Sequence, residues 1–574
     1  MLASHHRFAT PPRRSTAGLL ASIAAMALAM AVAAVLRLDD LGNRPMHCDE
    51  AVQAIKFGQL LEHNRYVYDP REYHGPSLNY LTLPVARWAS ARRLVDVTEV
   101  QLRVVPAIFG ILAVALVWLV RDELGLGATV AAAAMAATSP AMVFYSRYYI
   151  QEMLLVAFTF GAIVAWWRWA RLAGSDRPPE APARRGLVLR RAGWLAALGI
   201  CLGLMHATKE TCAIALLAMA TASAATARVW RRLGAARLAW SILAALLIAA
   251  AVSALFFSSF FQHSQGVIDS YRTYFYYFGR AVGAGSAAGH VQPPHYYFQI
   301  LFWWHGDGGM VWSETAIGAL GLVGLAGALG GRGIAPRCRP WARFLGIYTL
   351  VTIAVYAVLP YKTPWCSLSF LHGMILLAGL GASALVRIAP GRTFKAIAAG
   401  LIVAAIGYLG WQAWRASFVA YEDPTNPHVY AHTTSDVRRL AGCLDQIARV
   451  HPDGHGMHIQ VICPDDDYWP LPWYLRAFAH VGWFHAVPRG PAAPVVITQP
   501  SMRAPVLDYL YRRQPPGQRH LMQLFEKAEG QPWKLRPGVP LEVYVRYDLW
   551  QEYEARAGGV EGKKPFTNPA RKLE

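Results

Sequence analysis

Two adjacent acids, Asp49 and Glu50, stand in the stretch "HCDEAVQAIKFGQLLEHNRYVYDPREYHGPSLNYLTLP", just after the first long apolar run of the chain. Three cations lie beside other apolar runs: Arg147 in "FYSRYYIQE", Lys209 in "HATKET" and Lys362 in "LPYKTPW". A charge next to a lipid-spanning segment is costly to leave unpaired, so it marks either a partner or a function. Glu152 and Glu210 are natural ion-pair partners for Arg147 and Lys209, and each such pair taken alone reads as structure. Gathered on one side of a membrane, several cations and several acids describe a pocket for an anionic, phosphate-bearing ligand with carboxylates nearby. That set suits displacement at an anomeric carbon. A carboxylate takes the proton of the incoming hydroxyl, and cations receive a departing phosphate that needs no proton donor. A plainer reading of the acids stands beside it: Asp49 caps the short amphipathic helix predicted by "AVQAIKFGQLL", and Glu50 complements its dipole.

The elements that must hold these residues are membrane helices. Of the 574 residues, 55% are hydrophobic and only 16% charged, more apolar mass than a soluble core of this length needs. The net charge of +20 does not point to nucleic acid, because the runs "RRSTAG", "RRGLVLRR", "RVWRRLGAAR" and "RGIAPRCRPWAR" are dispersed between apolar segments rather than gathered on a soluble face. Hydropathy predicts about eleven spans of the length a bilayer needs, from 17–36 to 396–414. The first reads as an uncleaved helix rather than a secretory signal, being about 20 residues long. The segment 194–227, on either side of "HATKET", could be two spans or one. Two spans put every Arg-rich connection on the cytoplasmic side, as the positive-inside rule requires, and so place the N-terminus inside and the region after Trp414 outside. The predicted organisation is mainly α: a cytoplasmic stretch 1–16, a transmembrane domain 17–415 with amphipathic external loops at 38–102 and 258–314, a small external α/β domain 416–556, and a disordered tail 557–574. On this topology "HCDEAVQ", "YSRYYIQE", "HATKE" and "LPYKTPWC" share the outer side of a cell membrane.

Further constellations narrow the chemistry. A nucleotide-sugar donor calls for a cytoplasmic domain with an acidic metal motif, and no such motif stands out; no nucleophile elbow or triad signature does either. His47, His74 and His206 lie in external segments together with Glu152 and Glu210, so His47, Glu152 and His206 could hold a divalent metal, although no HExxH-like spacing is present. The run "CPDDDYW" could bind a cation or a sugar, or be a solvated turn. Seven cysteines without metal-type spacing argue against a disulfide scaffold; Cys443 and Cys463 could pair or remain thiols.

The opening block, with "YSRYYIQEMLL", "HATKET", "PYKTPW" and "YWPLPWYLR", resembles the protein O-mannosyltransferase-like membrane glycosyltransferases of the GT-C fold, and most closely their archaeal and bacterial flippase-activity-associated branch. The resemblance covers most of the membrane region and part of the C-terminal domain. It implies a polyprenyl-phosphate-linked sugar as donor and a protein, lipid or glycan as acceptor. By the same resemblance Asp49, with Glu50 beside it, matches the catalytic acidic motif, and Arg147 matches a donor-phosphate contact. Lys209 and Lys362 match motifs of the nearer branch, with His74, Glu152, His206, Glu210 and Tyr361 in support. Cys48 replaces an expected Pro, and Cys366 an expected Asn; neither change removes a charge. The alternatives are a factor that helps to move lipid-linked sugars across the bilayer, which would tolerate loss of the Asp49 carboxylate, and a scaffold whose charges pair off locally.

Overall fold

The computed structural model describes residues 16–71, 74–174, 181–230, 233–281, 290–306, 308–527 and 530–558. The stretch expected to be cytoplasmic before residue 17 and the tail expected to be disordered after 556 lie almost wholly outside them. Among the described residues, eight helices are long and apolar enough to cross a membrane, from Thr16–Leu38 to Gly391–Val419. Leu126–Thr138 and Pro140–Ser146 supply a further crossing as a pair bent by 55°. Two shorter apolar helices, Cys212–Ala225 and Thr315–Gly330, take the remaining predicted positions. Residues 207–211 separate Ala181–His206 from Cys212–Ala225. These two helices pack against different neighbours, the first against Glu152–Ala173 and Ala235–Phe257, the second against Arg339–Val358.

Sequence explains where the membrane helices break and where they touch. Pro140 at the first helical position cannot continue the preceding ladder, so the span bends at Ser139. The main-chain donors freed there still need acceptors inside the bilayer. Glu314 provides one: its Oε1 accepts the N–H of Ala141 at 2.9 Å and its Oε2 accepts the Ser139 hydroxyl at 2.5 Å. The glycine-rich helix Thr315–Gly330 lies backbone to backbone on Leu368–Ile388. A Cβ at Gly324 would sit 1.9 Å from the Leu377 carbonyl, and one at Gly381 would sit 1.9 Å from the Leu320 carbonyl. Small residues permit that approach where lipid offers no hydrophobic drive.

The chain forms two compact units. One contains residues up to Asn43 together with Lys56–Tyr430; the other contains Arg44–Ile55 together with the chain from Ala431 onward. The acid-bearing segment therefore belongs to the unit made mostly of C-terminal sequence. In that unit His458–Ile462 pairs in parallel with both His480–Phe484 and Val495–Thr498. Val495–Thr498 continues antiparallel to Val539–Arg546, which also pairs with Met522–Leu524 and Trp533–Arg536. The two-residue period sorts the core. Val495 and Ile497 pack with Leu440 and Leu444 of Asp436–Ala448, while Val496 turns to the other face against Val506 and Leu510 of Arg503–Tyr511. The β-like runs "HIQVICP", "APVVITQ" and "LEVYVRY" contain three of these strands. All seven cysteines are free, Cys443 and Cys463 included.

Candidate functional site

In the unit that holds Asp49, the helix Cys48–His63 begins with two acids in its first turn. A helix start leaves main-chain N–H groups without partners, and a capping box satisfies two of them reciprocally. Here that task falls on His47 and Glu50. His47 Nδ1 accepts the N–H of Asp49 at 3.1 Å, and Glu50 Oε2 accepts the N–H of His47 at 3.0 Å. Glu50 is fully buried and also receives the Arg44 guanidinium at 3.0 Å on the same oxygen. Asp49, between them, is exposed. The segment is held by sequence far away in the chain: the N–H of Met46 donates to the Tyr474 hydroxyl at 2.8 Å, and Arg438 donates to the Arg44 carbonyl at 3.0 Å. Tyr474 lies in "YWPLPWYLR", where Arg476 stacks 3.7 Å from the Trp473 ring. Arg536, which pairs with Asp467, is near enough to act electrostatically on Cys48.

In the membrane unit, the segment after residue 74 is docked on the break at 207–211. Gly75 and Ser77 donate their N–H groups to the Thr208 and Ala207 carbonyls at 3.1 and 2.9 Å, and the hydroxyls of Ser77 and Thr208 meet at 2.7 Å. Gly75 is required at this approach, since a Cβ there would lie 2.2 Å from the Ala207 carbonyl oxygen. This docking sets His74 Nδ1 at 2.8 Å from Glu210 Oε2, with the Tyr277 hydroxyl 3.2 Å from the same nitrogen. Next along the chain, Lys209 pairs with Glu152. Burial alone would raise the Glu210 carboxyl, but His74, a main-chain hydrogen bond and Lys209 outweigh it and hold it below its usual range. Burial likewise works against the Lys209 ammonium, and Glu152 reverses that, so Lys209 stays charged. The other oxygen of Glu152 and the Gln151 amide nitrogen are buried without a hydrogen-bond partner. The result is a line of polar groups, Glu152, Lys209, Glu210, His74 and Tyr277, embedded in an apolar unit.

The remaining predicted residues are committed locally. Arg147 donates to the carbonyls of Leu36, Asp39 and Asp40 at 3.2, 2.6 and 2.8 Å, closing the end of the helix Thr16–Leu38, and it stacks 4.3 Å from the Phe418 ring. The partner expected for it, Glu152, is taken by Lys209. Lys362 is buried and donates to the carbonyls of Gln292, at 3.2 Å, and Leu359; burial lowers its ammonium. Tyr361 packs 4.9 Å from the His290 ring, and His290 Nδ1 is 2.5 Å from the Tyr430 hydroxyl. His206 Nδ1 meets the Ser253 hydroxyl at 2.6 Å, among Phe257, Tyr271 and Tyr274. Sequence reasoning passed over Arg44, Tyr277 and Tyr474. Only Arg44, six residues before a glutamate that needs a cation, carried a usable signal.

The residues suggested for a divalent metal do not fit one as arranged. Glu152 pairs with Lys209, and His206 faces Ser253. Among the described residues, the group with convergent ligand atoms, all within 4.8 Å of one another, is instead His47, Cys48 and Asp49. These offer nitrogen, sulfur and oxygen, a set suited to a borderline ion such as zinc. Yet His47 Nδ1 already accepts a main-chain N–H, so a neutral ring carries its proton on Nε2 and has no free lone pair. Burial, reinforced by Asp49, pushes the Cys48 thiol up and away from the thiolate a metal requires.

With this geometry in place, likeness to known proteins can be weighed. Residues 84–265 match the family model described as dolichyl-phosphate-mannose-protein mannosyltransferase. No curated protein matches the chain. Among solved structures, ArnT from Cupriavidus metallidurans bound to undecaprenyl phosphate is similar over 92% of this chain and 98% of that one, with 14% identity and a TM-score of 0.58. The oligosaccharyltransferase of Archaeoglobus fulgidus in its apo form is similar over 84% and 70%, with 14% identity and a TM-score of 0.54. The same organism's AglB in complex with an inhibitory peptide and a dolichol-phosphate covers 90% and 74%, at 16% identity and a TM-score of 0.52. At such identities the likeness is one of fold. The chain is a multi-pass membrane protein that shares the fold of these solved transferases, and its residues 84–265 match the mannosyltransferase family model.

Proposed function

We propose that this protein is a glycosyltransferase that takes a sugar from a polyprenyl-phosphate-linked donor and passes it to a protein, lipid or glycan acceptor, with Asp49 as the general base. The observation that carries the reading is the division of labour at the helix start. His47 and Glu50 satisfy the helix end, and Glu50 is neutralised by Arg44, so Asp49 is left exposed and free to take a proton. In the reaction the acceptor oxygen attacks the anomeric carbon, the bond from that carbon to the phosphate oxygen breaks, the acceptor proton passes to Asp49, and polyprenyl phosphate leaves as an anion. A single displacement of this kind inverts the anomeric centre. Glu50 acts as a positioning residue. Arg147, Lys209 and Lys362 are the residues proposed to meet the donor phosphate; Lys209 would exchange Glu152 for it, and Arg147 and Lys362 also hold main-chain carbonyls. The lipid phosphates bound to ArnT and to AglB support a polyprenyl-phosphate donor, and the match of residues 84–265 to the mannosyltransferase model supports a hexose. The dispersed Arg-rich loops support an N-terminus in the cytoplasm of the cell and chemistry on the outer face.

The test is turnover of a radiolabelled polyprenyl-phosphate hexose by the purified full-length protein and its Asp49→Asn variant. Release of polyprenyl phosphate by the wild type and its loss in the variant, with donor binding retained, is the expected result. Equal lipid movement by both proteins without release would sink the enzyme reading and favour a translocation factor.

A further inference from the structure

Where the helix Ala235–Phe257 ends, three consecutive residues, Ser259, Phe260 and Phe261, adopt φ of 52°, 55° and 70°. Non-glycine residues visit this left-handed region singly, because Cβ meets the following carbonyl, so a run of three must be imposed by its surroundings. The surroundings are evident. Ser259 Oγ accepts the N–H of Tyr66 at 2.9 Å and the Tyr80 hydroxyl at 2.8 Å, while Phe260 and Phe261 donate their N–H groups to the Leu255 carbonyl and the Ser258 hydroxyl. The strained turn has a visible product. It sets the Phe260 ring 5.0 Å from Tyr80, beside Phe256 at 5.5 Å, and these rings form one wall of a cavity of about 570 Å³. That volume lies within the range of roughly 300–1,000 Å³ typical of ligand sites. Leu81 and Leu83 continue the lining, and Arg87 and Asn64 stand in it, joined by a 2.8 Å hydrogen bond. No acid lines the cavity.

The location identifies the class of occupant. Phe261 is 82% exposed at the end of a membrane span. The amphipathic helix Gln265–Ala281 follows at once, and its exposed Ile268, Tyr271, Phe275 and Phe278 recur at helical spacing along one stripe. Such a stripe beside a span end lies in the interfacial zone of the bilayer, where chains and headgroups meet. We infer that this cavity binds an anionic phospholipid, one acyl chain lying against Tyr80, Phe256 and Phe260 and the headgroup phosphate against Arg87. The guanidinium suits that role because Asn64 occupies one of its five donors and no carboxylate in the lining neutralises it. None of the residues lining it is among those proposed above for the transfer reaction. Through Tyr66, whose N–H reaches Ser259 and whose hydroxyl is 3.5 Å from the His74 carbonyl, the lipid would buttress the segment that carries His74.

The test uses the full-length protein in phosphatidylcholine nanodiscs containing a trace of phosphatidylglycerol with a diazirine on one acyl chain. After irradiation, label is expected on peptides containing Tyr80 and Phe260. Arg87→Gln should cut it about fivefold, the effect of one cation at an anionic surface, and Arg87→Lys should retain it. Leu81→Trp, which fills the cavity, should abolish it; because Arg87 is exposed, the Gln variant keeps the test decisive if the Trp variant does not fold. Labelling that is unchanged by Arg87→Gln, or equal labelling by a phosphatidylcholine analogue, overturns the proposal. Displacement of the label by stoichiometric polyprenyl phosphate would also overturn it, assigning the cavity to the sugar-carrier lipid.

Discussion

Exchanging the two neighbouring acids one at a time separates chemistry from architecture. In Asp49→Asn the main-chain N–H that reaches His47 Nδ1 is untouched, and the side chain is exposed, so the loss is confined to the helix-dipole contribution of about 0.3–1 kcal/mol. The melting temperature should barely move. Turnover, however, loses its general base, worth about 10²–10⁴-fold in rate, or about 3–5 kcal/mol of barrier. Glu50→Gln makes the opposite exchange. An amide oxygen can still accept the His47 N–H at 3.0 Å, but the buried ion pair between Glu50 and Arg44 is lost. Breaking a buried pair in this way costs about 3–5 kcal/mol. The assay is a pair of measurements on each purified variant: release of polyprenyl phosphate from a labelled donor, and thermal unfolding followed by intrinsic fluorescence. The division of labour is refuted if Asp49→Asn keeps more than about a tenth of wild-type turnover, a loss too small for a general base. It is equally refuted if both variants lower the melting temperature to the same extent.

Two further outcomes follow from the membrane unit. Lys209→Met should destabilise by about 3–5 kcal/mol because it strands Glu152 in an apolar setting, and the double variant with Glu152→Leu should recover much of that loss in a thermal-shift assay. Gly381→Ala should lower stability by at least about 1–3 kcal/mol, the cost of overpacking, since its methyl would meet the Leu320 carbonyl at 1.9 Å; an unchanged melting temperature would mean that the two helices can separate freely.

Much of the membrane architecture was legible because bilayer crossing imposes a length and a composition that single segments display. Each predicted span is occupied by a helix, and the doubtful stretch around "HATKET" forms two helices, the second shorter than a full crossing. The strands "HIQVICP" and "LEVYVRY" were legible from their β-branched residues and alternation. What one segment cannot display is who its neighbour is. Arg147 next to an apolar run promised an ion pair with Glu152 five residues on, but its guanidinium satisfies the carbonyls at a helix end more than a hundred residues earlier. Asp49 looked like the natural helix cap because Asp is a favoured capping residue; the box is instead completed by a histidine, and the glutamate three positions later identified it only once Arg44 and His47 were seen in space. The cavity beside Phe260 was illegible for a further reason: no propensity predicts three successive left-handed residues, which only tertiary hydrogen bonds enforce.

The assignment of Arg44–Ile55 to the unit built from Ala431 onward has a consequence in time. During synthesis the segment bearing Asp49 emerges early, but Tyr474 and Arg438, which fix its backbone, emerge only after nearly the whole membrane region. At about 5–20 residues per second the wait is roughly 20–85 s. Until then those two contacts are missing, so on the proposed reading of Asp49 as base a chain cut short before Ala431 is expected to insert into the membrane yet fail to turn over donor.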